Sequence, residues 1–332
     1  MKLPCLVAAA LLINACDTEP LKGDPYGRLA LDFASMFSPE APAFQYETKD
    51  RLPPEKLARM VAGPAALLEQ GKLVEAERAF AQLIARKRAS SNGSGSVEAD
   101  YHMAWALALF EASLEDGWSA TDEAAVRHLR ISASLYERNF GKNHPETALA
   151  LATLADAMDQ RLAPNSLAER TELFRRVAAI REETLGPHNI ETVASWRSYL
   201  RLLVHPEQQD RADFEQALEI ANRLISDPQI KDDSLTDMSR TGTYAYRAVA
   251  LLRLHRTAEG IASMNDYWRL MQQSTDSDDH ESCLKYEDVT KSFFSALNAS
   301  DGGPDTEALR QRDKAVCDMD EWPLLRIDRP GV

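Results

Sequence analysis

The chain has 332 residues, of which 44% are hydrophobic, so it is long and apolar enough to bury a large core. Its formal net charge of −14 at pH 7 disfavours general binding to nucleic acid or anionic lipid through charge. The sequence contains no C-x-x-C, H-E-x-x-H, G-x-S-x-G or G-x-x-x-x-G-K-[ST] motif, and its seven histidines form no close pair along the chain, so no catalytic residue, metal ligand or cofactor is predicted.

The N-terminal segment has the pattern of a secretory signal. Lys2 is followed by an apolar run from Leu3 to Ile13 and then by Asn-Ala-Cys ending at Cys16. The run is shorter than the roughly 20 residues that a membrane-spanning helix needs. Ile13 to Cys16 resembles the lipobox of bacterial lipoproteins, which implies removal of residues 1–15 and lipidation of Cys16. The alternative is an ordinary signal peptide, cleaved at the same place, that leaves the cysteine unmodified.

The lipobox resemblance also implies a location. A lipidated Cys16, carrying acyl chains such as palmitate, would anchor the chain to a membrane of the bacterial cell envelope, facing the periplasm. Six prolines and weak periodicity in residues 16–54 predict a tether, with a short helix around 29–37. The sequence does not distinguish the inner from the outer membrane.

Residues 55–275 show helical periodicity, with apolar side chains returning every three or four positions. One example is the stripe Ala148, Leu151, Ala155 and Met158. Each such helix needs a neighbour to cover its apolar face. The pattern predicts five antiparallel helix pairs, at 55–70 with 72–88, 97–116 with 121–139, 145–162 with 166–184, 190–204 with 210–226, and 235–254 with 257–273.

A block of thirteen residues occurs twice, 45 positions apart, as LYERNFGKNHPET and IREETLGPHNIET. In each copy a glycine, Gly141 or Gly186, can end a helix by adopting a positive φ. The residue three positions later, His144 or Asn189, stands where a helix N-cap is expected. The block therefore predicts a helix end, a turn and a new helix, and its recurrence indicates a repeat protein.

Two segments resemble known repeats. Gly71, Leu73, Ala76 and Phe80 have the spacing of the turn and interhelical contacts in the second half of a tetratricopeptide repeat (TPR). The segment 141–147 resembles the kinesin-light-chain type of this repeat, in which Leu-Gly-x-x-His-Pro-x-Thr joins one repeat to the next. The resemblance implies an all-α fold, a right-handed superhelix of antiparallel helix pairs (a TPR-like α-solenoid), whose concave face binds a protein or peptide.

The chain departs from the family in two respects. Its spacing is 45 residues, whereas the usual repeat has about 34. In the kinesin-light-chain type, two asparagines on the first helix of each repeat line the peptide groove, and here the matching positions hold Ala152-Thr153 and Arg197-Ser198. The register of the two copies gives the candidate partner-binding residues Thr153, Asp156, Arg197, Ser198 and Arg201. The alternative for the three charged residues is that they are ordinary solvated side chains.

Residues 276–332 are predicted to form a C-terminal helix and a capping tail. The acidic run 276–281 lacks the glycine of an EF-hand loop, and we interpret it as a cap for the following helix. Cys283 and Cys317 are candidates for a disulfide in an oxidising compartment, and the alternative is two independent thiols.

These features favour a membrane-anchored scaffold or adaptor that binds a protein or peptide partner in the bacterial envelope, without catalysis. The first alternative is an envelope hydrolase whose carboxylates are dispersed in sequence and gathered only by the fold. The second is a structural subunit of an envelope assembly. Two opposed buried carboxylates with raised pKa values in a cleft would favour the hydrolase.

Overall fold

The computed structural model describes residues 54–90, 95–113, 119–160, 165–208, 210–230, 234–274, 280–298 and 306–317. Within these ranges the regular structure consists of twelve α-helices, which confirms the all-α fold class. The helices are α1 Pro54–Leu68, α2 Leu73–Ser90, α3 Gly95–Ala112, α4 Ala120–Phe140, α5 Pro145–Gln160, α6 Leu167–Leu185, α7 Ile190–Leu203, α8 Arg211–Ser226, α9 Ser234–Arg253, α10 Thr257–Ser274, α11 His280–Asn298 and α12 Thr306–Cys317.

The contacts divide the chain into two compact units, Met1–Thr184 and Leu185–Val332. In the first unit, α1 packs against α2 and α3, α2 also contacts α3, α3 packs along α4, and α4 contacts α5. Sequential helices that are also spatial neighbours are the arrangement expected for stacked hairpins.

The second unit repeats this arrangement. Within it α7 packs against α8, α8 against α9, and α9 against α10. In addition α9 contacts both α7 and α11, so the first helix of one hairpin lies on the first helix of the next. The last helix, α12, packs against α10 and α11. Stacking of first helices on first helices is the basis of an α-solenoid.

The two copies of the thirteen-residue block form equivalent turns. Gly141 and Gly186 have φ values of 100° and 89°, in the region that disfavours residues with a side chain. In both copies the glycine carbonyl accepts a 3.4 Å hydrogen bond from the amide three residues later. His144 Nδ1 and Asn189 Oδ1 then accept the amide of the second residue beyond them, at 3.2 and 2.9 Å, which confirms their predicted N-cap role.

The predicted TPR-like hairpin turn is also present. Gly71 has a φ of 70°, and Lys72 donates its amide to the carbonyl of Leu67 five residues back. The turn between α9 and α10 has the same pattern, with His255 at a φ of 60° and Arg256 donating to Leu251. This similarity was not visible in the sequence, because a histidine occupies the position that glycine normally takes.

The predicted apolar stripes face the core. On α5, Ala148, Leu151, Ala155 and Met158 are each at most 3% exposed. The other side of this helix is covered as well, so that most of α5 from residue 146 to 158 is buried. A helix that is apolar on all sides is expected to be enclosed by others.

The N-terminal signal, Cys16 and the tether lie outside the described residues, and so do the acidic residues 276–279. Cys283 lies in α11 and Cys317 in α12, and these two helices pack against one another. Their side chains are not among those described, so the disulfide stays a prediction. Within the described ranges, every helix is too short or too polar to span a lipid bilayer.

Candidate binding surface and a buried histidine cluster

The candidate partner-binding residues of the first unit lie on α5. Thr153 is 6% exposed, and its hydroxyl donates a 2.9 Å hydrogen bond to the carbonyl of Leu149 in the same helix. Its hydroxyl is therefore used inside α5. Asp156, three residues later, is half-buried. The binding role of both residues stays a prediction.

The candidate residues of the second unit lie on α7. Arg197, Ser198 and Arg201 are half-buried. Because the two arginines are four positions apart in a helix, they lie on the same face of α7. This face carries two arginines within a chain that has a large excess of acidic residues, and we call it the arginine face.

The residues around this face are held in place by packing. The guanidinium of Arg223, on α8, lies 4.6 Å from the centre of the Trp196 ring. Tyr199 is 3% exposed and its hydroxyl donates a 2.8 Å hydrogen bond to Gln216 Oε1, also on α8. These contacts join α7 to α8 next to the arginine face.

The fold brings together two histidines that lie 26 positions apart in the sequence. His102 on α3 and His128 on α4 are 6% and 7% exposed, and their Nδ1 atoms are 2.8 Å apart. His128 Nε2 lies 3.2 Å from both carboxylate oxygens of Glu77, on α2. On the other side, His102 Nε2 lies 4.0 Å from Glu98 Oε1. We call these four residues the histidine cluster.

Aromatic rings enclose the histidine cluster. The Phe80 ring meets His102 and His128 edge-on, with centroid distances of 5.4 and 5.2 Å. It also stacks on Trp105 at 5.0 Å, and the indole N–H of Trp105 donates a 3.1 Å hydrogen bond to Glu77 Oε1. The aromatic residues thereby exclude water from the two imidazole rings.

Burial and the neighbouring charges shift the pKa values of three members of the cluster, His102, Glu77 and Glu98. Burial, together with the neighbouring His128, lowers the pKa of His102 to about 4, so this ring is neutral at pH 7. Burial raises the pKa of Glu77, but His128, the hydrogen bond from Trp105 and the charge of Arg127 together bring this pKa below its usual value, and the carboxylate stays ionised. The hydrogen bond from Arg88 lowers the pKa of Glu98.

The cluster is not arranged as a metal site. In the described part of the chain, no group of three or more histidine, cysteine, aspartate or glutamate side chains is placed to hold a metal ion. The two Nδ1 atoms face each other at hydrogen-bonding distance, and the outer nitrogens point to carboxylates on opposite sides. The sequence does not indicate this pair, because the two histidines lie 26 positions apart and neither has a second histidine or a cysteine at helical spacing.

Neither a protein-family model nor a curated protein matches the chain. The solved structures that are similar to it include two of the nearly identical TPR-like repeats of a kinesin-light-chain-type protein from Podosopora anserina, the second with one substitution. Each is 18% identical and covers 68% of this chain, and they are matched over 99% and 98% of their own length, with TM-scores of 0.48 and 0.46. The fold assignment rests on the helices and contacts described above.

Proposed function

We propose that this protein is a helical-repeat scaffold that binds a protein or peptide partner and is anchored to a bacterial envelope membrane through a lipid on Cys16. The observation that carries the binding role is the stacking of first helices in the second unit, where α9 lies between α7 and α11. Such stacking leaves one row of helices available as a continuous surface for another macromolecule.

The arginine face of α7 is the proposed contact point. Arg197 and Arg201 lie on one side of a helix that Trp196 and Tyr199 fix against α8. Arginine pairs recognise carboxylates through charge-assisted hydrogen bonds that are stronger than neutral ones. We therefore infer that the partner presents acidic side chains or a C-terminal carboxylate to this face.

Two of the buried acids among the described residues are held by structural bonds, which favours binding over hydrolysis. Asp122 belongs to a capping box at the start of α4, where it exchanges hydrogen bonds with Ser119. Asp313 accepts a hydrogen bond from the Trp268 indole. In a glycoside hydrolase two carboxyl groups flank the scissile bond instead.

Charge reversal at both Arg197 and Arg201 is expected to lower capture of the partner by about tenfold or more, because two charge-assisted contacts are replaced by repulsion. The measurement is crosslinking in intact cells from a photoreactive residue at position 198, followed by mass spectrometry. The matched control reverses Arg211 and Arg256, two exposed arginines of the same unit. Equal crosslinking in the two double variants would contradict the assignment of the α7 face.

Replacing Cys16 by serine is expected to move the protein from the membrane to the soluble fraction, because the acyl chains supply the membrane affinity at about 0.8 kcal/mol per buried CH₂. The measurement is membrane fractionation with mass spectrometry of the N-terminal peptide. Cys283→Ser is the control and should fractionate as the parent does. A Cys16→Ser variant that still partitions into membranes with the parent would exclude the lipid anchor.

A further inference from the structure

The histidine cluster has a property that the binding role does not require. Two buried imidazole rings face each other through the same type of atom, Nδ1, at 2.8 Å. A hydrogen bond between them needs one protonated nitrogen and one bare nitrogen. The geometry therefore holds a single proton between the two rings.

The surrounding carboxylates decide where the other protons lie. His128 Nε2 lies 3.2 Å from both oxygens of Glu77, so it is the nitrogen that carries a proton and donates it. In the neutral pair His128 Nδ1 is then bare and accepts from His102 Nδ1. His102 Nε2 is left bare, 4.0 Å from Glu98.

One added proton fits this arrangement without a clash. If His128 becomes a cation, its Nδ1 donates to a bare His102 Nδ1, and His102 Nε2 carries the proton that faces Glu98. Both carboxylates then face an N–H group. The hydrogen bond between the rings survives with its direction reversed.

A second added proton does not fit. Both rings would then be cations, and each would direct an Nδ1–H at the other across 2.8 Å. Like charges in a site closed by Phe80 and Trp105 repel strongly, because little water screens them. We propose that the histidine cluster is an acid-sensitive switch that keeps α2 docked on α3 and α4 until both rings are positively charged.

The segment released by the switch is defined by its contacts. Glu77 and Phe80 belong to α2, and both contact the histidine pair on α3 and α4. A further ion pair between α2 and α3 joins Arg88 to Glu98, but Arg88 is 65% exposed, so this pair contributes little. The two cations lie on α3 and α4, and the Phe80 ring of α2 covers them both. Undocking of α2 admits the water that solvates and screens the cations, so α2 is the helix that loosens.

The charged groups around the histidine pair help to determine the pH at which α2 is released. Those that face it or its carboxylates come from α2, α3 and α4, namely Glu77, Arg88, Glu98, Arg127 and Arg138. Arg59, the charged residue of α1 whose side chain is described, is exposed. The pKa of His102 is lowered to about 4 in the docked state, whereas an unfolded histidine titrates near 6.5. The docked state therefore loses stability progressively as the pH falls from about 6.5 to about 4.

Hydrogen exchange of the full-length chain tests the proposal. After correction for intrinsic exchange, protection of the amides of α2 is expected to fall by about tenfold or more between pH 7 and pH 5. Amides of α8, in the other unit, serve as the internal reference and should change less. A His102→Gln variant, whose side-chain amide can still donate to His128, should show equal α2 protection at both values of pH.

The control is His188→Gln, which removes a histidine that pairs with Asp227 in the second unit and should leave the α2 response unchanged. Two results would overturn the switch. One is a parent protein in which α2 and α8 lose protection to the same degree, a comparison that needs no variant. The other is a His102→Gln protein that still loses α2 protection at pH 5.

Discussion

Replacing Phe80 by alanine is expected to lower the free energy of unfolding of the first unit by about 3–5 kcal/mol. The ring is 2% exposed, lies parallel to Trp105 at 5.0 Å and meets both rings of the buried histidine pair edge-on. Alanine removes these contacts and leaves a cavity between α2, α3 and α4. The cavity also admits water to the histidine cluster, which removes part of the cause of the low pKa of His102.

The measurement for Phe80→Ala is urea denaturation followed by far-UV circular dichroism, with the transitions of the two units fitted separately. Phe80→Leu, which keeps most of the volume, should cost less than the alanine variant. Val74→Ala is the matched control on the same helix, because Val74 is 68% exposed and its truncation should change stability by less than about 0.5 kcal/mol. If Phe80→Ala lowered the free energy of unfolding by as little as Val74→Ala does, the result would contradict the packing described for α2.

The helices were predictable because their local signals are strong. All ten helices expected from the apolar periodicity are present, with ends within four residues of those predicted. The turns after α4 and α6 were predictable for a related reason, since Gly141 and Gly186 adopt backbone angles that few other residues tolerate. Signals that lie within a few residues of one another can be interpreted without knowledge of the fold.

Features that depend on distant residues were not predictable. The histidine pair forms only when α3 and α4 pack in one register, and nothing within a few positions of either histidine indicates that it faces the other. The left-handed turn at His255 lacks the glycine that would have marked it. The burial of Thr153 is a partial exception, because the nearly unbroken apolar run of α5 was a signal that this helix is enclosed on most sides.

Asp313→Asn is expected to raise the free energy of unfolding of the second unit at pH 8 by about 1–3 kcal/mol. Asp313, on α12, is 5% exposed, and its Oδ1 accepts a 2.6 Å hydrogen bond from the indole of Trp268 on α10. Burial raises the pKa of this carboxyl to about 6, although the Trp268 bond and the nearby Arg310 act in the opposite direction. An asparagine carbonyl accepts the same hydrogen bond and carries no charge.

The sign of the effect depends on pH. Because the pKa of Asp313 is raised in the folded state, the folded protein binds a proton more tightly than the unfolded chain, and its stability falls as the pH rises from about 4 to about 6. Asparagine has no such dependence. The gain from Asp313→Asn should therefore be complete above about pH 7 and should disappear near pH 4, where the carboxyl is protonated in the folded state.

Urea denaturation of parent and variant at pH 4 and pH 8 measures this difference, and it isolates residue 313 from the other groups that titrate in the same range. Asp266→Asn is the matched control, because Asp266 lies on α10, is 43% exposed and pairs only at the surface with Arg269. If Asp313→Asn raised the free energy of unfolding equally at both values of pH, the charge of Asp313 would not be the cause of the stabilisation. A loss of stability at pH 8 would show that the ionised carboxylate is better satisfied than the neutral amide, so that α12 is docked on α10 through a buried charge.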